Sequence, residues 1–319
     1  MSPFRSRALL ALASLALCLG IAEVVGQRLQ PDNPTRADGF VSDTKLGWVL
    51  PAGTTMQWRG KPAQINQLGL RGPKPKANPS LRILMVGDSS MFGDGVKDNE
   101  TMSAQLARFL PNADVQNAGV PGYTCIQTRE LLSRLASRYQ PDILISYNQH
   151  SDFRKTEPHD QVVAAASLGA LAGTGIGHLL TKGILWRRMK TGRSNLTVGE
   201  YSSCLTAMAD TQGKHGGHVL YVVPFSVDDF PSSPVYGLPE PEPEGKRLSD
   251  YRQAMCTVAA ATDNHCLNGP EAIRNSGLTN GNALQDMVHP TALGHQELAK
   301  AIAAKLESTG WLGDASKKR

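Results

Sequence analysis

The chain has no Cys-x-x-Cys pair and no cysteine–histidine spacing suited to zinc, which removes the common zinc modules. It has no Gly-x-x-x-x-Gly-Lys-Ser/Thr, hence no phosphate cradle of the P-loop kind, and no His-Glu-x-x-His for a metalloprotease. No internal repeat is visible. Its short basic clusters, Arg187-Arg188-Met189-Lys190 and Lys317-Lys318-Arg319, carry no interleaved aromatics. The formal net charge of +5 is otherwise spread out, so nothing points to nucleic acid as a partner. What remains, 319 residues that are 40% hydrophobic and 19% charged, is a globular chain.

The first informative segment is residues 1–26. Arg5 and Arg7 precede an apolar run from Ala8 to Ala22, the pattern of a secretory signal, with Gly20 and Ala22 at plausible −3 and −1 cleavage positions. Extended to Val25, the run becomes a signal anchor close to the length of a membrane span. Leu17 is too bulky for Cys18 to mark a lipoprotein site. Export to the periplasm and membrane association through the N-terminus are therefore expected, with cleavage left open. In an oxidising compartment Cys256 and Cys266 can close a short loop; two unpaired buried thiols are the equal alternative.

Residues 27–80 are polar and rich in Pro and Gly, and read as a lead-in with short strands such as Met56-Gln57-Trp58. From residue 81 to about 310 the pattern changes. Strand-length apolar runs at Arg82–Val86, Asp142–Tyr147 and His218–Val223, with a weaker one at Asp114–Asn117, alternate with amphipathic helices. The helices are expected at Thr101 to Phe109, at Gln127 to Tyr139, after Ser249 as an N-cap, and from Thr291 to Leu306. This alternation predicts an α/β fold, a three-layer α/β/α sandwich on a mainly parallel, doubly wound sheet. Two insertions interrupt it. Residues 155–195 hold an Ala/Gly/Leu-rich stretch, read as a packed helical flap or as a lid or interfacial helix. Residues 231–245 are a Pro-rich loop.

Three stretches carry candidate chemistry. Gly87-Asp88-Ser89 follows the strand at 82–86, so Ser89 lies at the carboxyl edge of the sheet, where such folds bind ligands. Alone, it is also an ordinary turn. Asp286-Met287-Val288-His289 precedes the last helix. A serine needs a base, and the base needs a carboxylate to orient it, which this spacing can supply. Asn117-Ala118-Gly119 places a strand-end amide near the same edge. His159, His178, His215, His218 and His265 are scattered, and His295 sits on the last helix; all read as structural or surface residues.

Together these residues resemble the GDSL, or SGNH, hydrolases over about residues 47–306. The matching features are Gly87-Asp88-Ser89 with Phe92-Gly93, the stretch Asn117-Ala118-Gly119-Val120-Pro121-Gly122-Tyr123, and Asp286-x-x-His289-Pro290 with Gly294-His295. The lead-in Ile65-Asn66-Gln67-Leu68-Gly69-Leu70-Arg71-Gly72 is similar to that of exported bacterial members. The resemblance implies a serine esterase with Ser89, His289 and Asp286 as its triad. It implies an oxyanion hole from Ser89, Gly119 and a third donor. That third block reads Gly-x-Asn-Asp in the family, whereas this chain has Gln149-His150-Ser151-Asp152, so the donor is expected from Ser151, or from the nearby Asn148. No metal or organic cofactor is implied. The expected substrate is a small-molecule or carbohydrate ester, with acetylated envelope carbohydrate preferred. An O-acyltransferase with the same triad, or a non-catalytic carbohydrate-binding relative, is the alternative.

Overall fold

In the computed structural model the described residues are 3–28, 39–157, 160–230 and 248–314. The Pro-rich stretch 231–245, His159 and the tail Lys317-Lys318-Arg319 lie outside them. The chain divides into two units, residues 1–34 with 155–193, and residues 35–154 with 194–319.

The larger unit is a three-layer α/β/α sandwich. It opens with two antiparallel hairpins, β1 (Val41–Asp43) with β2 (Gly47–Val49), and β3 (Thr55–Trp58) with β4 (Lys61–Gln64). The central sheet follows: β5 (Leu81–Gly87), β6 (Ala113–Gly119), β7 (Ile143–Tyr147), β8 (His218–Val223) and β9 (His265–Asn268). Its order is β6-β5-β7-β8-β9 and every pair is parallel. The four expected strands are present, each within two residues of its predicted ends. Three of them, β5, β7 and β8, are mainly apolar because helices cover both faces, whereas β6 carries the buried polar residues Asp114, Gln116 and Asn117. The chain turns from one side of β5 to the other between β6 and β7, so the carboxyl end of β5 is the switch point where ligands bind in open α/β sheets.

The helices Met102–Phe109, Cys125–Tyr139 and Ala292–Thr309 lie where the apolar spacing put them, the last capped by Thr291. Ser249 does not cap the next helix. Leu248 is already helical, and Ser249 lies within Leu248–Ala261. Residues 40–65 of the lead-in are part of the domain. Phe40, Trp48, Leu50, Met56 and Ile65 form a second apolar cluster with Phe92, Val120 and Tyr123, beside the carboxyl ends of β5 and β6.

In the smaller unit a helix Pro3–Arg28 packs on a helix Gly175–Thr191. Gly26 and Gly175 lie so close that a Cβ on either would strike the other helix's backbone. The Glu23 carboxylate accepts the N–H groups of Gly175 (2.8 Å) and Ile176 (3.0 Å), capping the second helix. Leu12, Leu15, Leu17, Leu19, Ile21, Val24 and Val25 are exposed. Among the described residues, Ala11–Arg28 is the one stretch long and apolar enough to cross a membrane.

Cys256 and Cys266 form a disulfide, and so do Cys125 and Cys204. The second pair was not expected; its members are 79 residues apart on two packed helices. Closing 79 residues should stabilise the fold by about 4 kcal/mol, closing 10 by about 3 kcal/mol. Replacing Cys125 and Cys204 by Ala should therefore lower the denaturation midpoint more than replacing Cys256 and Cys266. Denatured, unreduced protein should expose the single thiol of Cys18 to a maleimide.

Candidate active site

At the end of β5 the chain turns at Asp88 into the one-turn helix Ser89–Phe92. The Asp88 carboxylate, buried, accepts the Ser90 N–H (3.0 Å), which holds Ser89 at the first helical position. The helix rests on the end of β6, where any Cβ on Gly119 would collide with the backbone of Met91 and Phe92, so only glycine fits. Asn117 locks the contact. Its Nδ2 donates to the carbonyls of Met91 (3.0 Å) and Phe92 (3.2 Å).

Ser90 Oγ donates to the Val288 carbonyl at 3.0 Å, bringing residues 286–289 to the helix Ser89–Phe92. There one Asp286 oxygen accepts the N–H groups of Val288 (3.0 Å) and His289 (2.9 Å), a local turn that fixes the carboxylate. The other oxygen meets His289 Nδ1 at 2.7 Å, and His289 Nε2 meets Ser89 Oγ at 2.8 Å. The structure thus brings Ser89, His289 and Asp286 into one hydrogen-bonded line. Burial works against charge on both members of the ion pair. The hydrogen bond from the His289 ring, with two backbone amides, nonetheless holds Asp286 well below the ordinary carboxylate range. The same bond, aided by the charge of Asp94, holds His289 above its ordinary 6.5.

The other residues expected to donate to an oxyanion make hydrogen bonds of their own. Gly119 N–H donates to Asn117 Oδ1 (2.9 Å). Ser151 sends both its N–H and its hydroxyl to Asp88 Oδ2 (3.2 Å each). The Asn148 amide donates to Thr128 Oγ1 (2.9 Å) and its oxygen accepts from Ser146. His150, on the short helix His150–Phe153, has an Nε2 shut off from solvent with no partner, in electrostatic reach of Asp88 and His289. Burial lowers its pKa to about 4, so the ring is neutral. The turn Val120–Tyr123 closes from Tyr123 N–H to the Val120 carbonyl (3.1 Å) with Pro121 and Gly122 (φ 81°) at its centre. It is a type II turn, which leaves Gly122 N–H outside its own bond.

The lead-in supplies residues to which the sequence assigned no role. Arg71 is buried. It donates to Asp98 (2.8 Å) and to the carbonyls of Phe92 (3.0 Å), Gly93 (2.7 Å) and Val96 (2.8 Å), closing the end of the helix Ser89–Phe92. Trp58 and Arg59 bring an indole N–H and a guanidinium to Asp94. Of the three, Arg71 alone lies in the lead-in stretch 65–72. His295 is fully buried and held neutral by that burial. Among the described residues no group of three or more His, Cys, Asp or Glu side chains is placed to hold a metal ion.

The sequence model of the GDSL-like Lipase/Acylhydrolase family matches residues 85–297. No curated protein matches the chain. Among solved structures, the chain is similar to a lipase/acylhydrolase from Enterococcus faecalis at 16% identity and a TM-score of 0.49, over 72% of this chain and 96% of that one. It is similar to an acetylxylan esterase from Geobacillus stearothermophilus at 17% identity and a TM-score of 0.45, over 74% and 98%. A member of the lipolytic G-D-S-L family from Veillonella parvula gives 13%, a TM-score of 0.49, and 71% and 98%.

Arg71→Ala strands three buried carbonyls and one carboxylate, and should cost about 3 kcal/mol in urea unfolding. Arg71→Lys should recover little of it, since an ammonium cannot span the four acceptors. A loss below 1 kcal/mol would show that Arg71 does not hold this turn.

Proposed function

The chain belongs to the GDSL-like Lipase/Acylhydrolase family, an ester-hydrolysing serine hydrolase family, and we propose that this member cleaves short acyl esters, acetyl esters of carbohydrate foremost, outside the cytoplasmic membrane. The observation that carries the reading is the unbroken line Asp286–His289–Ser89, at 2.7 and 2.8 Å.

The proposed chemistry runs in two halves. Ser89 Oγ bonds to the acyl carbon as its proton passes to His289 Nε2, and the carbonyl electrons move onto oxygen. Asp286 keeps Nδ1–H directed and stabilises the imidazolium. As the oxyanion collapses, the bond to the alcohol breaks and His289 returns the proton to the leaving oxygen. Water then attacks the acyl-enzyme by the same route, releasing the acid and Ser89. The developing oxyanion takes the Ser89 N–H as expected from the sequence. With Gly119, Ser151 and Asn148 otherwise engaged, the Gly122 N–H and the neutral His150 ring are the further donors proposed. A neutral imidazole N–H is suited to this role because it leaves the negative charge on the substrate oxygen.

Location rests on the exposed apolar stretch Ala11–Arg28 of the N-terminal helix, the kind that signal sequences and anchors share. Acetyl specificity rests on the family alone, and the rates on a series of p-nitrophenyl esters decide it.

Ser89→Ala and His289→Ala should each lower p-nitrophenyl acetate turnover by roughly 10³-fold or more. His150→Ala should lower kcat roughly 10²-fold at nearly constant KM, as loss of one oxyanion donor does. Undiminished turnover in Ser89→Ala would refute the enzyme assignment. Undiminished kcat in His150→Ala would refute only the third donor. A reporter fused after Arg319 should be active only outside the cytoplasm.

A further inference from the structure

Beside the catalytic line stands a carboxylate that it does not use. Asp94 lies just past the nucleophile helix and is buried. Its Oδ2 is 3.5 Å from His289 Nε2, the same nitrogen that meets Ser89 Oγ. The hairpin β3–β4 holds this carboxylate from above. Trp58 Nε1 donates to Oδ1, and Arg59 Nε lies 3.2 Å from Oδ2. Arg59 also reaches within 3.9 Å of Asp286 Oδ2, so its guanidinium spans both acids of the site. Arg59 and Gly60 form the hairpin tip, both with positive φ, the tight geometry that puts two consecutive side chains over one target. Gln285 Nε2 completes the clamp, donating to the carbonyls of Asp94 and Pro290 at 2.7 Å each.

We infer that Asp94 is a second carboxylate partner of His289, a positioning residue that receives the Nε2–H whenever the ring is charged, that Trp58 aims it and that Arg59 opposes its charge. The inference rests on the reading of His289 as the proton carrier. In the neutral ring, Nδ1–H donates to Asp286 and the Nε2 lone pair accepts from Ser89, so a carboxylate 3.5 Å away contributes no hydrogen bond. Once the Ser89 proton has moved, Nε2–H is cationic and faces Asp94. The imidazolium then lies between two carboxylates, in each half of the reaction. In acid the free enzyme charges the same ring, and Nε2–H turns from Ser89 to Asp94. The nucleophile then has no base.

The groups facing His289 are few. Asp286 lies on its own loop, Asp88 and Asp94 at either end of the nucleophile helix, and Arg59 on the hairpin. His150 and His295 face it from two other helices, and burial keeps both neutral. Burial raises the pKa of Asp94, against the charges of His289 and Arg59 and the Trp58 hydrogen bond, which favour its ionised form. The sign follows. A negative Asp94 raises the pKa of His289, and Arg59 lowers it.

Two variants separate this role from packing. Asp94→Asn keeps an acceptor for Trp58 and removes the charge. Arg59→Gln removes the opposing cation and leaves Asp94 in place. The readout is the titration of His289 by NMR of the imidazole Cε1–H, with no substrate present, beside the acid limb of kcat/KM for an acetyl ester. Asp94→Asn should move both to lower pH by about one unit, and Arg59→Gln should move both upward. A residue that only packs would lower stability or kcat and leave the His289 titration where it was. Titrations that do not move, or that move the same way in both variants, overturn the inference. Turnover that survives in Ser89→Ala would instead overturn the reading beneath it, while the titration would still report on Asp94.

Discussion

Asp88 lends its two carboxylate oxygens to two different loops. One oxygen takes the Ser90 amide and sets the start of the nucleophile helix; the other takes the amide and hydroxyl of Ser151. A buried carboxylate must have its lone pairs filled or its charge becomes costly. Here filling them means joining the end of β5 to the loop after β7, the two places that meet at the switch point of the sheet. The Ser89 hydroxyl, the Ser90–Val288 contact and the reach of His289 all depend on that junction. A shift of the second loop would withdraw the acceptor from the first, so the site is assembled cooperatively.

Much of this was legible in the sequence, for stated reasons. β5, β7 and β8 are continuous apolar runs, which only a sheet covered on both faces produces, and the last helix announced itself by Leu298, Ile302 and Leu306. β9 was not legible. His265-Cys266-Leu267-Asn268 is four residues at the edge of the sheet, half-buried, without periodicity. Ser89, Asp286 and His289 were recoverable because their chemistry needs fixed local spacing. The partners of the expected oxyanion donors were not: motif counting could not show that Asp88 would accept the Ser151 hydroxyl, or Asn117 the Gly119 amide.

The lead-in was the larger omission. Read by composition, it is polar and rich in turns. Folded, it contributes Trp58, Arg59 and Arg71, whose partners lie 36 residues away at Asp94, more than two hundred away at Asp286, and 27 away at Asp98. Contacts of that kind leave no periodic trace, because each depends on a single side chain and the turn that presents it. Glu23 is a similar case. It reads as a polar interruption of an apolar run, yet it caps a helix 152 residues further on.

The bridge from Cys125 to Cys204 encloses the whole of residues 155–193. The segment is therefore an arc of a covalently closed ring. Cutting the chain anywhere within it would leave the two halves of the sheet domain tethered, with β7 and β8 still linked through the sulfurs. Lengthening it adds to a loop whose ends are already pinned, and the entropy of such a loop grows only with the logarithm of its length. The fold can thus accept large changes in this segment, including its loss to a protease, without releasing the half of the chain that carries His289 from the half that carries Ser89.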